Sequence, residues 1–164
     1  MFVLNSYKIF FISCLIFLSV SVVLAKESSY MYESELNSFG FTEYERVNPN
    51  LLIYPIKRIA EHIKLNLLFD KEKRKEYIFN LYEVRLKELV YIVNNKKEGF
   101  LSFTADRYNS FVGKIKKDYP LGKDEKQKFQ VYIRLLERLR DIYPAQSVNW
   151  SKLNETIDTT KSLI

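Results

Sequence analysis

Between residues 50 and 142, apolar side chains recur every three or four positions, the spacing that gathers them on one face of a helix. Four such stripes are separated by turn signals. Ile56, Ile59, Ala60, Ile63 and Leu67 make the first. Pro55 sits in its opening turn, where a missing N–H breaks no bond. Asp70 then offers a carboxylate to cap a second helix, whose stripe is Ile78, Tyr82, Leu86, Leu89 and Val93, widened by Leu81 and Ile92. No Gly or Pro occurs from Lys71 to Val93, so this helix should run about 35 Å at the helical rise. Asn94-Asn95-Lys96-Lys97 ends it, asparagine tolerating the left-handed conformation found at helix ends.

A third helix is expected from about Glu98 to Lys117 on Leu101, Ala105, Tyr108, Val112 and Ile115, with Phe111 beside them. After the turn at Asp118-Tyr119-Pro120-Leu121-Gly122, a fourth should run from about Asp124 to Ile142 on Phe129, Tyr132, Leu136, Leu139 and Ile142. Tyr143-Pro144 stops it, because the residue before proline avoids the helical region. In the tail, Ser151 would cap a short helix carrying Leu153 and Ile157, anchored by Trp150. Short connections make neighbouring helices antiparallel. The pattern therefore predicts an all-α, antiparallel up-and-down bundle of about four helices whose stripes shield one another from water. Residues 26–50 follow no single period and are rich in Glu, which reads as a flexible N-terminal arm with at most one short helix, around Met31 to Ser38, ended by Gly40, and with some of Tyr30, Tyr32, Phe39, Phe41 and Tyr44 lying back on the helical domain rather than forming a binding strip. Asn48-Pro49-Asn50 marks the start of the bundle.

The first residues change the picture from fold to location. Lys8 precedes the apolar run Ile9 to Ala25, which closes on Val23-Leu24-Ala25, a small-residue cleavage pattern. The run is short for a membrane span, which takes about 20 residues. The domain plan is then a signal peptide at 1–25, a linker or arm at 26–50 and a helical bundle domain at 51–164. The protein is expected to be secreted or periplasmic, the alternative being a single-pass anchor held by an uncleaved N-terminal helix. Cys14 is the only cysteine in the sequence and lies inside the apolar run, so the chain beyond it has no disulfide and no thiolate ligand or nucleophile.

The first two helices also carry a resemblance. Tyr54, Lys57, Arg58 and Glu61, then Phe69 and Asp70, then Arg85, Leu86 and Glu88 fit a pattern close to YFLKR, FDP and RLAE. The stretch from about 49 to 93 thereby resembles a bacterial family of exported helical domains of unknown function. Lys71 stands where that family has a proline after the Asp. The resemblance implies fold and location and brings no activity with it.

Charge and chemistry narrow the function. Lys and Arg exceed Asp and Glu by 26 to 20, a formal charge of +6, which favours anionic partners. His62 is the sole histidine, no Gly-rich phosphate loop is present, and no aromatic-interleaved nucleic-acid module appears. No catalytic, metal-binding or cofactor-binding residue is assigned, no cofactor is called for, and no nucleic-acid partner is expected. Two groups of charges stand out. Arg58, Glu61, Asp70, Arg85 and Glu88 are candidates for structural ion pairs. Arg85 is expected to reach Glu61 or Asp70 and fix the crossing of the first two helices, a buried pair whose loss would cost about 3–5 kcal/mol. Lys96, Lys97, Lys114, Lys117 and Lys123, near helix ends, form a candidate anion-binding patch. The sequence thus reads as a small, non-catalytic binding or interaction module of the cell envelope. Its expected partner is another envelope protein, an anionic polymer or a membrane surface. A membrane-tethered spacer and an envelope-polymer hydrolase are the rival readings.

Overall fold

From Lys71 to Lys161 the chain runs up and down four times. The computed structural model describes residues 33–41 and 45–164, and the signal-peptide expectation lies outside them. In chain order the helices are α1 (Glu33–Ser38), α2 (Tyr54–Leu67), α3 (Lys71–Asn94), a 3-10 turn (Glu98–Phe100), α4 (Leu101–Asp118), α5 (Lys123–Arg140) and α6 (Val148–Lys161). The described residues therefore hold six α-helices rather than about four, in an all-α and mostly antiparallel arrangement. The four that form the bundle are α3 to α6. The expected first member, α2, lies outside them, and the tail supplies the fourth.

Local chemistry sets each end. Asp70, extended at ψ 125°, accepts a hydrogen bond from the Lys73 backbone N–H at 3.0 Å and starts α3. Ser147, at ψ 161°, accepts from the Trp150 backbone N–H at 3.2 Å and starts α6. Ser151, expected as that cap, instead lies inside the helix, because Ser147 follows the Pro144 turn in the extended conformation a cap needs. The third helix begins a turn later than expected, since Glu98–Phe100 takes the tighter 3-10 form. Gly40 at φ +81° ends α1, a conformation open to glycine.

The four bundle helices bury the stripes their periodicity marks. Ile78, Tyr82, Leu86, Leu89 and Val93 of α3 face Leu101, Ala105, Tyr108, Val112 and Ile115 of α4, and all are almost wholly buried. From α5 come Phe129, Tyr132, Leu136 and Leu139, and from α6 Leu153 and Ile157. The described part of the arm is not free: Leu36 and Phe41 join this core, Phe41 edge-on to Tyr132 at 5.9 Å. No single period shows upstream of Asn48, and polar contacts join the apolar ones in docking its described part: Arg138 pairs with Glu35 at 2.7 Å.

At the centre, the Tyr82 ring lies 4.8 Å from Phe129 and 5.7 Å from Tyr132, within the range of favourable aromatic pairing. The Tyr82 and Tyr108 hydroxyls are bonded to each other, and that of Tyr108 lies 3.0 Å from Thr160 Oγ1, which donates to the Thr156 carbonyl at 2.8 Å. Burying a hydroxyl without a partner is costly, and this chain pairs all three. Tyr108→Phe is expected to lower stability by about 1–3 kcal/mol, because the Tyr82 hydroxyl stays buried and loses its mate; equilibrium urea unfolding of the variant checks it. Burial also raises the titration of Tyr82, Tyr108 and Tyr132 above the ordinary 10, and that of Tyr143 to about 12. Each folded value exceeds the unfolded one. The stability these groups contribute is present below pH 10 and is lost as pH rises through the folded values.

Candidate functional site

The Asn48-Pro49-Asn50 break turns the chain, with the Leu51 N–H bonding the Asn48 carbonyl at 2.9 Å, and α2 follows with Pro55 near its start. Tyr54, Lys57, Arg58 and Glu61 are spaced i, i+3, i+4 and i+7, one face of α2. This face meets α3, and the two helices run antiparallel from the Phe69-Asp70 corner, so that 57 lies against 88, 61 against 85 and 64 against 77.

The contact is polar and buried. Glu88, fully buried, takes a hydrogen bond from the Tyr54 hydroxyl at 2.8 Å, another from Lys57 Nζ at 2.8 Å and a third from Arg85 Nη1 at 2.5 Å. The other end of the Arg85 guanidinium holds Glu61, which also accepts from Arg58 Nη1 at 2.6 Å. Lys57 reaches on to the Val47 carbonyl at 2.9 Å and Glu45 at 3.1 Å, tying down the chain before α2. From α4, Arg107 donates to the Tyr54 hydroxyl and lies 4.7 Å from its ring centre, while Phe111 lies beneath Arg85 at 5.4 Å and Arg58 at 5.9 Å. Removal from water lowers the titration of Arg58, with the Arg85 charge adding to it, and pulls Arg107 down to about 10. Both remain cationic at neutral pH.

The opposite face of α2 is the unexpected one. The stripe predicted to pack inward points away from the body: Ile56 is 68 % exposed, Ile59 61 %, Ile63 53 % and Leu67 65 %. Leu52 and Phe69, just beyond the two ends, are 99 % and 89 % exposed. Only Tyr54 and Leu65 of α2 are buried. The reason lies in α3. Arg85 and Glu88 occupy its α2-facing side, and rolling α2 over to bury its isoleucines would strip both charges of partners in a dry place. Breaking a buried pair in that way costs several kcal/mol.

Residues 46–146, well over half of the chain, match the family described as Domain of unknown function (DUF5667). The chain belongs to the DUF5667 family. No curated protein and no solved structure matches it. The DUF5667 span covers α2 to α5 and with them both sides of the ion-pair network; α6 lies beyond it.

Within this DUF5667 domain the other predicted residues fall in different places. Arg58, Glu61, Arg85 and Glu88 come together as described. Asp70 does not join them: its carboxylate is committed to the cap of α3. The lysines do not form one patch. Lys96 and Lys97 follow the end of α3, whereas Lys114, Lys117 and Lys123 stand at the far end, where α4 finishes and α5 begins. There Lys71, Arg74, Lys75 and Lys114 line a groove of about 550 Å³ with Glu72 and Asp118. Among the described residues, no cluster of three His, Cys, Asp or Glu side chains is placed to hold a metal ion, and His62 is exposed. Sequence reasoning missed Glu45, Arg107 and Phe111 as members of the network. The signal for the inward face was in hand, however, in the charged i, i+3, i+4, i+7 set of α2 opposite the Arg-x-x-Glu of α3.

Proposed function

We propose that this DUF5667 chain is an exported, non-catalytic docking module of the cell envelope that works through the outward apolar face of α2. The observation that carries the reading is the inversion of α2. A charged network clamps the polar face of the helix to the bundle and leaves its isoleucines in water. A solvent-facing stripe of this extent is costly unless something covers it. The clamp holds the face rigid and already folded, which lowers the ordering cost of binding. Export rests on the Lys8, Ile9–Ala25 pattern, and a native N-terminus beginning at Lys26 by mass spectrometry is the expected result. A start at Met1 would instead favour the tethered form.

The test of docking is site-specific photocrosslinking in cells exporting the full chain. A photoreactive residue at Ile59 or Ile63 is expected to give adducts, and one at exposed Gln130 of α5 is expected to give none. Equal labelling from all three positions would remove the reading.

A further inference from the structure

Resting on that docking reading, we infer that the occupant of the α2 face is the surface of a bilayer bearing anionic headgroups. Three observations select it. The first is shape. At 100° per residue, Ile56, Ile59, Ile63 and Leu67 span an arc of roughly 80° on the side away from the buried Leu65, and Leu52 extends the ridge just before the helix. With Phe69 they expose on the order of 800 Å² of apolar surface, more than the few hundred Å² usual for a lone domain. The surface is a convex ridge. A second copy meeting it ridge to ridge would cover the central isoleucines and leave the Leu52 and Phe69 ends wet. A fluid lipid surface takes the whole ridge, as interfacial helices do when their apolar faces enter about 5–10 Å at the headgroup boundary.

The second observation is charge. The one acid of α2, Glu61, is turned inward and paired, so the outward part of the helix carries no carboxylate. Lys64 flanks the stripe, leaning 4.6 Å over the Tyr77 ring, and just past Phe69 the exposed Lys71 and Lys73 alternate with the exposed Asp70 and Glu72. Across a two-fold axis Lys64 would face its own copy with no outward acid of α2 to answer it. Beside phosphate headgroups it adds attraction. The third observation is the clamp itself. An interfacial helix ordinarily turns its charged side to water, and here that side is satisfied by Glu88, Arg85 and Arg107, so the bundle rides above the helix with its own core untouched.

The experiment uses the mature chain from Lys26, which contains no cysteine, with a single environment-sensitive dye on Ile63→Cys, or on Gln130→Cys as reference. The probes are vesicles of phosphatidylcholine with phosphatidylglycerol and vesicles of phosphatidylcholine alone. The expected result is a blue-shifted, several-fold brighter emission at position 63 with the anionic vesicles, quenched by shallow spin-labelled lipid, while position 130 stays unchanged. Lys64→Glu should reduce the gain. A dye at 63 that stays as wet as the one at 130 overturns the inference, and equal response to both vesicles overturns the anionic requirement. Shielding at 63 without lipid that disappears on dilution means a second copy is the occupant. That result overturns the lipid assignment and leaves the docking reading standing. The docking reading itself falls only if the crosslinking pattern fails as well.

Discussion

Glu88→Ala is expected to destabilise the domain by about 3–5 kcal/mol, the range for breaking a buried ion pair, and to lower the melting temperature by roughly 10–15 °C for a domain of this size. One carboxylate there answers Arg85, Lys57 and the Tyr54 hydroxyl, all in a place that water scarcely reaches. Removing it leaves a fully buried guanidinium with only Glu61 and lets α2 loosen. Thermal unfolding measures the total. Native-state hydrogen exchange locates it, with protection in Tyr54–Leu67 falling before that of α3 to α6. Arg85→Met should cost less, because Glu88 keeps Lys57 and Tyr54 and Glu61 keeps Arg58. An unchanged melting temperature for Glu88→Ala would show that the clamp is not what holds α2.

Phe129→Ala is expected to cost a similar amount, about 3–5 kcal/mol, by another route. Its ring touches Phe79, Tyr82 and Tyr132 at centroid separations of 6.3, 4.8 and 6.0 Å, and it is 1 % exposed. Truncation leaves a void among rings that are held by their own hydroxyl bonds and cannot easily close in. The two variants should differ in kind. Glu88→Ala frees one helix, whereas Phe129→Ala weakens the bundle as a unit, so its near-ultraviolet circular dichroism should diminish while α2 exchange changes only with global unfolding. A cost below 1 kcal/mol would mean that the aromatic centre repacks freely.

These two sites also divide what the sequence made legible from what it did not. The stripes of α3, α4 and α5 were read from period alone, and their residues line the core. The same reading of α2 found the right helix and the right face but the wrong direction. Periodicity tells that a helix has an apolar side; it does not tell which neighbour that side meets. What decided the matter was a demand from another element, the charges Arg85 and Glu88, and such demands act over distances that a window of one helix does not include. Arg107 and Phe111 were invisible for the same reason: they reach Tyr54 and Arg58 of α2 from α4, some fifty residues on in the chain. Asp70 was correctly seen as a cap, but from the start of α3 it stands about 22 Å along the helix from Arg85 and does not reach it. The tail helix was underestimated because its start depended on which of two serines, Ser147 or Ser151, was extended.

The single tryptophan of the protein has a consequence of its own. Trp150 sits half-buried in the first turn of α6 with the Arg140 guanidinium 5.2 Å from its ring centre, at the corner joining α5 and α6. Indole fluorescence therefore reports that corner and is blind to α2. Denaturant titrations followed at the indole and by far-ultraviolet ellipticity should part company whenever the clamp opens first, so the protein carries a built-in means of separating release of one helix from collapse of the whole.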